Sequence, residues 1–179
     1  MPKAMTLEDI ARVRDDFVAA ACRARDAGFE WLELHFAHGY LAQSFFSEHS
    51  NQRTDAYGGS FDKRCRFLLE TLAAVREVWP EHLPLTARFG VIEFDGRDEQ
   101  TFAESIELAR RFKETGLDLL SVSIGFTIAD TDIPGHPASW DRSPSGYAAR
   151  WASRWRRPGA SAPRRSPSGP SRKASWTSP

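Results

Sequence analysis

The 179-residue chain is 41% apolar and 27% charged, and its 24 basic side chains balance its 24 acidic ones. That length and apolar fraction suit one domain with a real core. No run of about 18 apolar residues occurs, which excludes a spanning helix, and Met1-Pro2-Lys3-Ala4-Met5 leads into a charged helical pattern without the apolar stretch of a signal peptide.

Cys22 and Cys65 stand in helix-like segments without metal spacing, so neither a disulfide framework nor a zinc site is expected. A cytoplasmic location follows as the expectation. The neutral total hides a break. Residues 135–179 contain no Leu, Ile, Val, Met or Phe and hold 9 Lys and Arg against 1 acidic residue, whereas residues 1–134 hold 15 against 23. The two regions need separate accounts.

In chain order, Thr6 is a predicted N-cap, with Glu8 and Asp9 in the first turn where the helix dipole favours negative charge. Leu7, Ile10, Val13, Phe17, Ala21 and Ala24 recur at helical spacing, and Gly28 closes the segment. Phe29 to Leu34 alternates as a short strand. His35 to Ser60 is a long polar stretch, too long for an idle connection, with a helical turn expected around Tyr40 to Phe46. A second helix is predicted from Phe61 to Trp79, stopped by Pro80, and a second strand from Leu83 to Phe89. A third helix, Glu99 to Thr115, precedes Gly116 and a third strand, Leu117 to Ser123.

This α/β order implies parallel strands with helical crossovers. It fits an open doubly wound sheet or an arc of a (β/α)8 TIM barrel. No Gly-x-Gly-x-x-Gly opens a helix, and polar residues gather beyond the strands: His35 and His38, Arg88, then Ser121 and Ser123. Chemistry at the C-terminal strand ends favours the barrel.

His35-Phe36-Ala37-His38-Gly39-Tyr40 is the most informative stretch. Two imidazoles three apart on a turn can converge on one oxygen and polarise it. A surface histidine pair and a metal site completed by Glu33 are the competing readings. Arg88 interrupts an apolar strand, so it either forms a buried ion pair or faces a ligand as a fixed cation. Between Asn51 and Ser60, Gly58-Gly59 reads as a turn and Ser60 as the next N-cap. Arg53, Asp55, Arg64 and Arg66 read as a salt-linked staple for the loop, and neither they nor Tyr57 are expected to be catalytic.

His35-Phe-Ala-His38-Gly39-Tyr40-Leu41, Phe46-Ser47, Ser50-Asn51-Gln-Arg53-Thr54-Asp55-Ala-Tyr57-Gly58-Gly59-Ser60 and Arg64-Cys-Arg66-Phe67 strongly resemble the old yellow enzyme family. Within that family the chain is most similar to the xenobiotic reductase branch, over about residues 3–134. Lys63 stands where the family usually has Asn, and Gln52 where His or Lys is common. The resemblance implies an FMN-containing (β/α)8 barrel, of which this chain spans about the third helix to the sixth strand. It implies that His35 and His38 bind the activating oxygen of the substrate and that Tyr40 lines the same pocket. Arg88 would lie beside the pyrimidine end of the flavin; Ser121 and Ser123 have no assigned role.

The implied chemistry is hydride transfer from NADPH or NADH to FMN, and from FMN to an activated alkene or nitro compound. Strands one to three, seven and eight of such a barrel are not represented, and the last two bind the FMN phosphate. The chain alone is therefore expected to be inactive, as a fragment of a parent enzyme that the resemblance allows to be a homo-oligomer. The alternative reading is a non-enzymatic αβ binding module whose basic tail meets nucleic acid. For residues 135–179 the candidates are a disordered nucleic-acid-binding segment, a linker, or an out-of-frame translation of a G/C-rich gene, the last being preferred. No core can form from that composition.

Overall fold

The computed structural model describes residues 3–125. The expected disordered tail at 135–179 lies outside the described residues. Thr6 opens helix α1 (Leu7–Asp26) with a reciprocal cap: its hydroxyl accepts from the Asp9 N–H at 3.1 Å, and the Asp9 carboxylate accepts from the Thr6 N–H at 3.0 Å. At the far end Gly28 takes φ +84°, and the N–H groups of Gly28 and Phe29 donate to the carbonyls of Arg25 and Ala24. This closure needs a residue free to adopt a left-handed backbone, which Gly28 supplies. It also draws Phe29 into the helix terminus. Strand β1 therefore starts at Leu32 and ends at Phe36, later than the alternation from Phe29 to Leu34 predicts. His35 consequently lies within the strand rather than after it.

Helix α2 (Leu41–Phe46), helix α3 (Phe61–Val78), strand β2 (Leu85–Gly90), helix α4 (Asp98–Glu114) and strand β3 (Leu119–Ser123) follow, all close to their predicted bounds. Helix α4 ends as α1 does, with Gly116 at φ +103° and Leu117 donating to the Phe112 carbonyl. Ser60 occupies the N-cap position of α3, but its hydroxyl makes no capping bond, contrary to expectation. Asp62 supplies the negative charge in that first turn instead.

The three strands pair in parallel in the order β1-β2-β3, with His35 opposite Arg88 and Arg88 opposite Ser121. Side chains alternate across such a sheet. Leu34, Phe36, Ala87 and Phe89 are buried on one face. Rings from the helices pack there: Phe17 of α1 lies 6.2 Å from Phe36, Phe46 of α2 lies 5.0 Å from Phe89, and Phe112 of α4 lies 5.9 Å from Phe89. Each such buried ring stabilises the fold by roughly 1.5–3 kcal/mol. Helix α3 buries Phe67, Leu68, Leu72 and Val75 and packs against α1, α2 and α4. Sequential strands with helices on one face form an arc of a (β/α)8 barrel; a doubly wound sheet would carry helices on both faces. The other face exposes Glu33, His35 and Arg88.

Candidate active site

The site grows from the end of β1. His38 and Gly39 adopt φ +62° and +71°, consecutive left-handed residues that turn the chain sharply before α2. The turn is tied to the far strand of the sheet, across β2. The His38 N–H donates to the Ile124 carbonyl at 3.3 Å, and His38 Nε2 lies 2.6 Å from Ser123 Oγ. His35, projecting from the open face, then meets both neighbours edge-on: its ring centroid is 5.1 Å from that of His38 and 5.4 Å from that of Tyr40. Burial holds the His38 imidazole below its usual range, helped by the positive charge of Arg88 and by His35. A neutral ring at pH 7 can donate one hydrogen bond and accept another.

Arg88 is not the buried ion pair that one reading of the sequence allows. It is exposed on the open face, in register with His35 and Ser121, and no ion pair of its own is found among the described residues. Its guanidinium is thus a cation on the same surface as the imidazoles. Tyr40 is 65% exposed and flanks His35. Sequence reasoning named all four residues, and the structure brings them together. Glu33 shares this face one pleat back from His35, but among the described residues no three His, Cys, Asp or Glu side chains converge as metal ligands do. Cys65 is buried, which pushes its thiol up to about 12, out of reach of nucleophilic chemistry.

What sequence reasoning missed is the support beneath the turn. Gln43, Ser47 and Glu93 are buried together. The Gln43 amide donates to the Gly90 carbonyl at 3.2 Å and to Glu93 Oε1 at 3.1 Å, while its oxygen accepts from the Gly90 N–H at 3.0 Å. Ser47 donates to Glu93 Oε2 at 2.7 Å. Helix α2, which carries Gln43 and Ser47, is thereby fixed to the end of β2. A Cβ on Gly90 would lie 2.5 Å from the Gly125 nitrogen and 2.6 Å from Gln43 Oε1, so a glycine is needed for this close approach. Gly90 at the end of an arginine-bearing strand is the one sequence signal that could have pointed here.

The expected arginine staple separates into distinct attachments. Arg53 pairs with Asp55 at 2.5 Å and donates to the Met5 carbonyl at 2.7 Å. Arg64 is buried, donates to the Phe46 carbonyl at 2.6 Å and pairs with Glu104 at 2.9 Å. Among the described residues Arg66 pairs with Glu70, at 3.8 Å. A groove of about 640 Å³ beside Met5, Asn51 and Arg53 includes none of the histidines.

The profile of the NADH:flavin oxidoreductase / NADH oxidase family matches residues 1–144. The chain belongs to that family. An NADPH dehydrogenase of Bacillus velezensis is 43% identical over 141 residues, covering 78% of this chain and 41% of the relative. An NADH:flavin oxidoreductase of Gibberella zeae is 44% identical over 134 residues, covering 70% of this chain and 32% of the relative. Morphinone reductase in complex with tetrahydroNAD superposes with a TM-score of 0.62 at 33% identity, over 73% of this chain and 36% of that one. The chain thus spans about a third to two-fifths of the length of these relatives.

Membership bears out the old yellow enzyme resemblance, the barrel-arc reading, and FMN with a nicotinamide donor as the cofactors the family implies. It lends no support to the non-enzymatic binding module. Among the described residues no helix is long and apolar enough to cross a membrane.

Proposed function

We propose that this flavin oxidoreductase chain carries the substrate-activating segment of an NAD(P)H-dependent ene-reductase. Its substrate is a small activated alkene or nitro compound, and we read it as a cytoplasmic enzyme of the xenobiotic reductase type. The observation that carries this reading is the convergence of His35, His38 and Tyr40 with Arg88 on the uncovered face of the sheet. The donor set fits FMN. Arg88 is an exposed cation in register with His35, suited to the electron-rich edge of a flavin. FMN, when bound, supplies the hydride. His35 and His38 donate hydrogen bonds to the carbonyl or nitro oxygen, where negative charge develops as the alkene is reduced. The neutrality of His38 makes it a hydrogen-bond donor rather than an acid of fixed positive charge. Tyr40 forms an aromatic wall beside the same oxygen. Arg88 holds its positive charge beside the cofactor, and the turn at His38 and Gly39 fixes the spacing of the pair.

Activity belongs to the complete barrel, and we assign none to the present chain alone. The test compares this chain with a version extended to the full length of its relatives. The extended protein is expected to bind FMN and to oxidise NADPH when an enone is added, and the present chain to do neither. An extended protein that folds yet fails at both would overturn the proposal. The basic segment after residue 134 we read as out-of-frame. Sequencing the encoding DNA decides this: a one-base shift near that codon should restore Leu, Ile and Val at barrel spacing, and closed alternative frames would refute it.

A further inference from the structure

We infer that Gln43 is a positioning residue for the histidine turn. Its side-chain amide takes the place in the sheet that the backbone N–H of His38 would otherwise fill, and so frees His38 to leave the strand. The inference deepens the proposed function and rests on it for its bearing on substrate, while the displacement is read in this chain alone. Between β1 and β2 the register pairs Leu32 with Leu85 and Phe36 with Phe89, and the Leu32 N–H donates to the Pro84 carbonyl at 3.2 Å. Alternate residues repeat such a bond along a parallel ladder. Carried onward, the same register brings Leu34 to Thr86, Phe36 to Arg88, and then His38 to the Gly90 carbonyl. The chain turns away before that last step. Strand β1 ends at Phe36, the His38 N–H donates to the Ile124 carbonyl at 3.3 Å, and the Gly90 carbonyl accepts from Gln43 Nε2 at 3.2 Å.

The roles in this exchange are fixed. A carbonyl only accepts and a backbone N–H only donates, so the Gln43 amide lies one way, with Nε2 on the Gly90 carbonyl and Oε1 on the Gly90 N–H at 3.0 Å. Both residues are buried, and a buried carbonyl needs a donor from the protein. The candidates on the β1 side are the Gln43 amide and the N–H of His38. His38 stands at φ +62°, an unfavourable backbone for a residue with a side chain. Without the amide, straightening the chain at His38 would relieve that backbone and serve the Gly90 carbonyl together. Strand alternation would then turn the His38 ring to the face of Leu34 and Phe36, away from His35. Gln43 therefore decides where β1 stops, and with it the face on which His38 stands.

Nuclear magnetic resonance of the full chain tests this. In the wild type the His38 amide should show a hydrogen-bond scalar coupling to the Ile124 carbonyl carbon. Cross-relaxation should link the His35 and His38 rings, whose centroids are 5.1 Å apart. A coupling from the His38 amide to the Gly90 carbonyl overturns the inference whether or not any variant folds. Gln43→Leu, which keeps the bulk and removes the amide, should move the coupling to Gly90 and abolish the ring contact. Ser47→Ala, which breaks the neighbouring bond to Glu93, should leave both in place. A folded Gln43→Leu that keeps the ring contact, or a Ser47→Ala that loses it equally, overturns the inference. In the extended protein Gln43→Leu should lower kcat/KM for alkene reduction about a hundredfold while flavin reduction by NADPH holds, and equal losses in both would count against a positioning role. An extended protein that binds no flavin, beside ring contacts that respond as expected, would refute the proposed function and leave this inference standing.

Discussion

The two faces of the three-stranded sheet divide the work of the molecule. One face holds Leu34, Phe36, Ala87 and Phe89 against rings from three helices and contains no charge. The other holds Glu33, His35 and Arg88 in the open. Neighbouring residues of one strand thus serve opposite ends: Arg88 and Phe89 differ by one position and by everything in their surroundings. The first face supplies the free energy that lets the second carry polar groups without helices to shield them. Stability and chemistry should therefore respond separately to substitution.

The sharpest way to break that contrast is to substitute adjacent residues. Phe89→Ala should lower stability by about 3–5 kcal/mol through the cavity it leaves. Arg88→Ala should change it by no more than about 0.5 kcal/mol. Urea unfolding of both variants checks this, and similar losses would show that the open face is also structural. Next in size is the histidine pair. In a full-length version, His35→Ala and His38→Ala should each cost about 2–4 kcal/mol of transition-state stabilisation in alkene reduction. Reduction of the flavin by NADPH should change little, so stopped-flow measurement of the two half-reactions separates the effects. Equal losses in both would move the histidines to a structural role.

Between the faces stands the buried bridge from α2 to β2. Gln43→Ala should cost about 1–3 kcal/mol, because it removes the acceptor of the buried Gly90 amide and one of the hydrogen bonds to Glu93. Its thermal unfolding should shift accordingly, while Gln52→Ala, on an exposed side chain, should not. The smallest expected effect concerns pH. The folded state disfavours the charged form of His38, so the unfolded chain binds this proton more readily. The penalty should appear as pH falls through the ordinary imidazole value of about 6.5 and be absent above it. A His38→Gln variant should lack this part of the pH dependence, and an unchanged profile would show that the ring titrates normally.

Much of this arrangement is legible in the sequence because its signals are local. Thr6 with Asp9, and Gly28 after the apolar repeat, mark the ends of α1 by chemistry confined to a few residues. Arg88 declares itself as a charge inside an apolar strand. The same local reading misjudged β1, because Phe29 alternates with its successors yet is claimed by the closure of α1. It also could not find the Gln43–Glu93 contact or the Ser123–His38 bond. Those partners lie 50 and 85 positions apart, and α2 is only six residues long, too short for a periodicity to show which side is buried. The arginines after Asn51 read as structural, but the Glu104 partner of Arg64 comes from helix α4, 40 positions on, which no loop motif could indicate.

The parallel register places His35, Arg88 and Ser121 on a single rung across three strands. At about 4.8 Å between strands, that rung is close to 10 Å wide. Insertions in the crossover helices or their loops can change the sequence distance between these residues while leaving the rung intact. A deletion of one residue inside β2 is another matter, since it would exchange the faces of everything beyond it and present Phe89 where Arg88 now stands. Descendants of this chain are therefore free to vary in length between the strands and are bound to conserve it within them.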